Sequence, residues 1–148
     1  METTFSYPKW AEIPNIDLYL DQVLLYVNQV CDPISPDKDK GLTASMVNNY
    51  VKHGYLTKPD KKKYQRQQIA RLIAITTLKS VFSIQEITQT LNTLQSQASS
   101  DQLYDAFVNY MNNGIDPENP IIQSSCQTVK LYHQTLALIH HTQEEVIQ

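Results

Sequence analysis

The chain has 148 residues, of which 41% are hydrophobic and three are glycine, and its formal net charge is −3. This length allows one domain, or one domain with an appended unit, and is large enough for a hydrophobic core. No apolar run is long enough to cross a bilayer and no charged-then-apolar leader opens the sequence, which predicts a cytoplasmic protein without a membrane segment. Cys31 and Cys126 are too far apart to form a metal or redox motif, so we expect reduced thiols.

An irregular arm opens the chain and a helix follows it. We expect Trp10, in the arm, to anchor the arm to the core and not to stack on a ligand. Asn15 can cap a helix over residues 16–30, whose leucines and valines leave little polar surface, so we predict a helix that is buried on most sides. Residues 31–41 contain two prolines, alternating charges and a final glycine, which predict an exposed loop.

The next predicted helix covers residues 44–53. Thr43 or Ser45 can cap its start, and Gly54 can end it because glycine adopts a left-handed conformation at the least cost. Its polar side chains point away from an apolar side. That apolar side carries Met46, Val47, Tyr50 and Val51.

Two further helices are predicted before residue 95. An apolar stripe that begins at Ile69 has helical spacing and extends to about Val81. Ser83 and Glu86 then have the spacing of a capping box, which predicts the start of another helix.

The C-terminal third is predicted to form a two-helix unit. Residues 95–100 are polar and aperiodic, as in a hinge, and Ser100 can cap a helix over residues 101–113. Pro120 suits the first position of a long final helix. That helix is apolar on two sides and needs two neighbours, one of which can be the same helix of a second subunit. One side carries Ile122, Val129, Tyr132, Leu136, Ile139 and Val146, and the other carries Leu131 and Leu138.

Basic residues are concentrated in one short segment. Residues 52–79 contain eight lysines and arginines and one acid, a net charge of +7, so the rest of the chain carries −10. A concentrated cationic segment suits a polyanion such as nucleic acid. A solvated lysine-rich turn explains the same charge, and charge alone does not decide between the two.

Three segments of this region follow one another at characteristic distances. They are MVNNYVKHGYL at residues 46–56, then KKYQRQQIARLIAI, then VFSIQEI at residues 81–87. In this order they resemble the end of the recognition helix and the two following segments of MerR-type winged helix-turn-helix regulators, with Tyr50 and Gly54 on the tyrosine and glycine of that pattern. The opening WAEIPNIDLYLDQV looks typical of a little-characterised bacterial family with a MerR-like domain.

The resemblance implies a fold and a function. It implies a mainly α protein, with a winged helix-turn-helix domain that has a short wing over residues 1–95, and a C-terminal helical unit for dimerisation or effector binding over residues 96–148. Residues 44–53 would lie in the major groove and residues 55–66 would form a basic wing on phosphates. Asn48 stands where the family usually has an arginine, so the readout of bases would differ.

Candidate DNA contacts lie on both elements. Asparagine can bond two edge atoms of adenine, hydroxyl groups bond bases or phosphates, and lysine neutralises a phosphate. Exposed polar residues without a ligand would give the same pattern. For Tyr64 we favour packing beneath the turn, and for Arg66 a nearby phosphate would compensate its unfavourable place at a helix start. The candidates are Thr43, Ser45, Asn48, Asn49, Lys52, Lys58, Lys61, Lys62, Lys63, Tyr64 and Arg66.

No motif indicates catalysis or a metal. Cys126, His133 and His140 recur every seven residues, but a helix rises roughly 1.5 Å per residue, so they are too far apart to bind one ion. We expect histidines at an interface instead. A glycine-rich phosphate loop, a zinc-protease motif and a nucleophile elbow are missing, so we expect neither an enzyme nor a cofactor.

These patterns together predict a sequence-specific transcriptional regulator. It would bind double-stranded DNA as a homodimer through its C-terminal helix, and an unidentified small-molecule effector is compatible with this function. The alternative is a helical protein-interaction adaptor that does not bind DNA.

Overall fold

A computed structural model of the protein describes residues 5–31 and 41–147. These residues are mainly α-helical, which confirms the predicted class. The loop predicted over residues 31–41 lies almost entirely outside the described residues. In chain order the elements are a 3-10 helix Trp10–Glu12, β1 (Leu18–Tyr19), α1 (Leu20–Cys31), α2 (Ala44–Lys52), β2 (Lys63–Tyr64), α3 (Arg66–Leu78), α4 (Ile84–Gln95), α5 (Ser100–Asn113) and α6 (Pro120–Ile147).

Local capping signals set several helix ends. Ser83 and Glu86 form the predicted capping box of α4, in which each side chain accepts the other residue's backbone N–H, at 3.2 and 2.9 Å. Pro120 is the first residue of α6, as predicted. At α5 the prediction is wrong by one residue, because Ser99 and not Ser100 occupies the cap position.

The start of the first helix differs from the prediction. Residues 16–30 were expected to be helical, but Leu18 and Tyr19 form β1 and α1 begins only after them. β1 pairs antiparallel with β2, with Leu18 opposite Tyr64 and Tyr19 opposite Lys63. The pairing overrides the local helical pattern, since a strand needs a partner that lies far away in the sequence.

The predicted burial of the first helix on most sides is also wrong. Only one stripe of α1, formed by Val23, Val27 and Cys31, is buried. Leu25 is 64% exposed. The helix therefore lies at the surface of the core, where it contacts α2 and α3.

The core is built around α3. Ile69, Leu72, Ile73 and Ile75 of this helix are fully buried, and α3 contacts α1, α4, α5 and α6. Buried residues from before and after residue 95 belong to the same hydrophobic cluster. The boundary predicted at residues 95–96 thus falls inside one continuous core, and the division into two units stays a prediction.

The N-terminal arm is attached to α5. The Trp10 backbone N–H donates to Asp105 Oδ1 at 2.8 Å, and the Trp10 ring meets Tyr104 edge-on with centroids 6.2 Å apart. This confirms that Trp10 anchors the arm. Cys31 and Cys126 are buried free thiols, and burial raises the pKa of each to about 12, so both are protonated at neutral pH.

The long helix α6 packs on α3 and α5 through its first half. Ile122 and Val129 are buried as predicted, but Tyr132 and Ile139, which the sequence assigns to the same side, are exposed. His133 is buried within the chain against Phe5, with ring centroids 6.4 Å apart, and the predicted placing of histidines at an interface stays a prediction. None of the described helices is long and apolar enough to span a membrane.

Candidate nucleic-acid interface

The N-terminal end of α2 is held by a side chain of α1. Asn28 Oδ1 accepts the Leu42 N–H at 2.8 Å, and Asn28 Nδ2 donates to the Leu42 carbonyl at 2.9 Å. A Cβ at Gly41 would lie 2.8 Å from Asn28 Oδ1, so glycine is needed for this approach. Thr43 then caps α2, its Oγ1 accepting the Met46 N–H at 3.2 Å. Sequence reasoning missed Asn28, whose only signal was a polar residue within an apolar helix.

The C-terminal end of α2 is closed at Gly54, as predicted. The Gly54 N–H donates to the Val51 carbonyl at 3.1 Å, and the Tyr55 N–H donates to the Tyr50 carbonyl at 2.8 Å. With a φ of 76° at Gly54, this is a Schellman motif. Both ends of α2 are therefore fixed by specific hydrogen bonds.

The outward face of α2 is polar and its inward face is buried. Val47 and Tyr50 are in the core, as expected. The side chains of Asn48, Asn49 and Lys52 are exposed and make no hydrogen bond to any described residue. They are consequently available to a ligand. A shallow depression on this face is lined by Thr43, Ser45, Met46, Asn48, Asn49 and Lys52.

A tight turn at residues 60–63, the lysine turn, follows α2. The Asp60 N–H donates to the Lys63 carbonyl at 3.1 Å, and the Lys63 N–H donates to the Asp60 carbonyl at 2.9 Å. Lys61 and Lys62 have φ of 50° and 68°, the left-handed pair of a type I′ turn. Such turns favour Asn-Gly, and the left-handed region costs other residues about 1–2 kcal/mol each. The turn thus exposes two lysines in a strained conformation.

The base of the lysine turn is held by Gln68 of α3. Gln68 Nε2 donates to the carbonyls of Thr57 and Lys58 at 3.0 and 3.2 Å, and its Oε1 accepts the Gln65 N–H at 2.7 Å. One buried amide therefore ties the chain before the turn to the chain after it. No local pattern in the sequence reveals this role, because the three backbone partners lie on both sides of the turn.

Two predicted site residues have structural roles. Tyr64 is 3% exposed and pairs with Leu18, which confirms its packing and leaves its ring no surface for DNA. Burial also raises the pKa of its hydroxyl. Arg66 is half-buried and its Nε donates to the Ile13 carbonyl at 3.2 Å, so the arm explains its place at the start of α3 without a phosphate.

The remaining basic side chains among the predicted site residues differ in their exposure to solvent. Lys52, Lys58, Lys61 and Lys62 are exposed, and none forms an ion pair with a described carboxylate. Lys63 is half-buried, with its Nζ 5.4 Å from the centroid of the Tyr19 ring. Four lysines within a short stretch thus keep uncompensated charge.

One known family matches the whole of this region. A family model described as a domain of unknown function, DUF1836, matches residues 8–107. The chain belongs to this family. The matched residues include α1 to α4 and the lysine turn, end within α5 and leave α6 outside. No curated protein and no solved structure matches the chain.

The candidate residues thus all lie in the part that defines the family. Amide groups on α2 can donate and accept hydrogen bonds, and the lysine turn carries positive charge, so the surface suits an anionic ligand with polar edges. Among the residues that the structure describes, no group of three His, Cys, Asp or Glu side chains could hold a metal ion.

Proposed function

We propose that this member of the DUF1836 family is a sequence-specific DNA-binding regulator. In this proposal α1 and α2 form a helix-turn-helix, α2 enters the major groove, and residues 55–66 act as a short wing. The observation that carries the proposal is the combination of unpaired amides on α2 with unpaired lysines on the turn that follows it. The sequence resemblance to MerR-type regulators supports the same assignment.

The exposed face of α2 has the chemistry that base readout needs. Asn48 and Asn49 lack protein partners, and an asparagine amide can bond both N6 and N7 of adenine. Lys52 lies one turn further along the helix, where it can neutralise a phosphate at the groove edge. Because both helix ends are fixed by hydrogen bonds, these side chains project from a rigid element.

The lysine turn supports the proposal because its conformation and its charges are unfavourable in the absence of a ligand. Lys61 and Lys62 occupy a backbone conformation in which glycine or asparagine is less strained, and their charges add mutual repulsion. A phosphate backbone that passes the turn would offset that repulsion. The strain therefore favours contact with a polyanion over a solvated turn without a partner.

Two DNA-binding heads require a dimer, and α6 offers a surface for a second copy of the chain. Leu131 and Leu138 are 64% and 67% exposed on this helix. Residues 131–143 contain no Asp, Glu, Lys or Arg, so an identical helix meets no like charge. The hydroxyls of Thr128, Thr135 and Thr142 donate to carbonyls of their own helix at 2.8–2.9 Å, so these three donors need no partner from a second copy.

The DNA test uses fragments from the neighbourhood of the protein's own gene. We expect binding, measured by fluorescence anisotropy, to weaken steeply with salt. In Lys61→Asn/Lys62→Gly, which keeps the turn and removes both charges, the slope of log K against log salt should fall by about 2. Lys9→Gln, an exposed lysine elsewhere, is the matched control and should leave the slope unchanged.

Sequence preference is tested on α2. Asn48→Ala and Asn49→Ala should change which fragments are selected, whereas Lys62→Ala should lower affinity about equally for all of them. Failure to bind any fragment at low salt would rule out the proposal.

Dimerisation is tested by sedimentation equilibrium of the full chain. We expect a dimer that Leu131→Asp/Leu138→Asp converts to a folded monomer, because both side chains are already exposed. A wild-type chain that is monomeric at a protein concentration of tens of micromolar would instead favour the second candidate. This candidate is an adaptor that binds a different protein through the exposed apolar residues of α6. Binding of a protein partner that is unaffected by the lysine substitutions, without any binding of DNA, would favour the adaptor as well.

A further inference from the structure

An apolar cleft with a volume of about 90 Å³ lies between α3, α4, α5 and α6. Its walls are side chains such as Ala74, Leu91, Phe107 and Ile122, and the sole tryptophan, Trp10, also lines it. A cleft of this size accepts a short alkyl chain or a single ring. Cys126 contributes a protonated thiol, which adds no charge to the walls.

One cation stands at this cleft. Arg71 lines it, is half-buried, and forms no ion pair with any described carboxylate. Its Nε donates to the Tyr55 carbonyl at 2.8 Å and its Nη2 to Asn92 Oδ1 at 3.3 Å. Tyr55 and Asn92 line a neighbouring depression and not the cleft, so the guanidinium lies at the edge of the cleft, and its Nη1 has no described acceptor. A half-buried guanidinium with neutral partners alone favours an added carboxylate.

The other residues that line the cleft are also compatible with a ligand that has an anionic head group. None of the described residues that line the cleft is acidic. Ser100 and Leu103, in the first turn of the 14-residue helix α5, also line it, so the positive end of the α5 dipole lies at the cleft. The exposed polar residues Gln67 and Gln95 add donors at its edge.

We propose that the cleft binds a small carboxylate with a short apolar body, whose tail lies among the walls and whose head pairs with Arg71. Arg71 also holds the carbonyl of Tyr55, which is the first residue of the proposed wing that contains the lysine turn. When the guanidinium turns toward a bound carboxylate it weakens that hold, and the effector thereby lowers DNA affinity. This regulatory step rests on the proposed function, while the binding site does not.

Binding is measured on the full chain through the fluorescence of Trp10, with pentanoate, pentanamide and acetate at constant ionic strength. We expect a saturable change with pentanoate, an affinity about tenfold lower for pentanamide, which lacks the charge, and no saturation with acetate, which lacks the tail. Equal affinities for pentanoate and pentanamide would overturn the proposal. A Trp10 signal that depends on protein concentration and ignores pentanoate would show that a second copy fills the cleft, and would also overturn it.

Two variants and a control locate the site. Arg71→Gln should remove the preference for pentanoate over pentanamide, and Ala74→Leu, which fills the cleft, should abolish the response to both. Lys79→Gln removes a cation of the same helical region outside the cleft and should change neither. If Arg71→Gln does not fold, Ala74→Leu still decides, because an unchanged response in that variant would refute the site.

The regulatory step has a separate readout. Saturating pentanoate should lower the DNA affinity of the wild type about fivefold or more, and should have no effect on Ala74→Leu. Pentanoate binding with unchanged DNA affinity overturns the effector role. If the chain binds pentanoate but binds no DNA at any salt concentration, the proposed function is overturned and the binding site stands. If the chain binds DNA but does not respond to pentanoate, the binding site is overturned and the proposed function stands.

Discussion

Gln68→Met tests whether the buried amide holds the lysine turn. The substitution keeps the length and volume of the side chain and removes three hydrogen bonds, two to carbonyls before the turn and one to an N–H after it. Each such bond contributes about 0.5–1.5 kcal/mol net. Because the turn is at the surface, water can replace part of this, so we expect a loss of about 2 kcal/mol in the free energy of unfolding.

The loss should be local as well as global. The Asp60 and Lys63 amides, which close the turn, should exchange with solvent faster in Gln68→Met, whereas the amides of buried α3 residues should change only with global stability. Denaturant unfolding gives the global value and hydrogen exchange gives the local one.

Gln67→Met is the matched control for Gln68→Met. It is the same chemical change at the adjacent position, but Gln67 is exposed and has one long contact, 3.4 Å, to Ser100 Oγ. We expect a change within about 0.5 kcal/mol. Equal effects of the two substitutions, or unchanged exchange of Asp60 and Lys63 in Gln68→Met, would refute the assigned role of Gln68.

Three further predictions follow from single residues. Gly54→Ala should cost about 1 kcal/mol of unfolding free energy in denaturant titration, since no atom lies near the added Cβ and only the left-handed conformation is strained. Burial lowers the pKa of His133 below 6.5, so the folded state favours the neutral ring; stability should be intact above pH 6.5 and fall below it, and His133→Leu should flatten this decline in thermal melts. Cys31 and Cys126, with pKa about 12, should resist thiol reagents at pH 8 until denaturant is added.

The sequence predicted those parts of the fold that local chemistry determines. The capping box at Ser83, the start at Pro120 and the stop at Gly54 each depend on residues within one turn of the helix end. The polar face of α2 follows from helical periodicity in the same way. These features need no knowledge of the rest of the chain.

The parts that the sequence did not predict depend on distant partners. β1 forms because residues 18–19 meet residues 63–64, and the local pattern there is equally good for a helix. Asn28 and Gln68 position both halves of the candidate site, but their partners are backbone groups, which leave no trace in the side-chain pattern. On α6, apolar residues on two sides do not reveal which side the neighbouring helices cover.

The position of Gln68 explains how a strained turn persists next to a rigid core. Lys61 and Lys62 add backbone strain and like-charge repulsion at the tip, where no packing compensates either cost. The compensation lies at the base, where Gln68 joins the two chain segments and Tyr64 is buried in the core. The tip of the turn can therefore present two positive charges to a ligand, because contacts at the base of the turn offset the loss of stability. A turn that had no ligand would gain stability from Asn-Gly at the same two positions and would lose nothing.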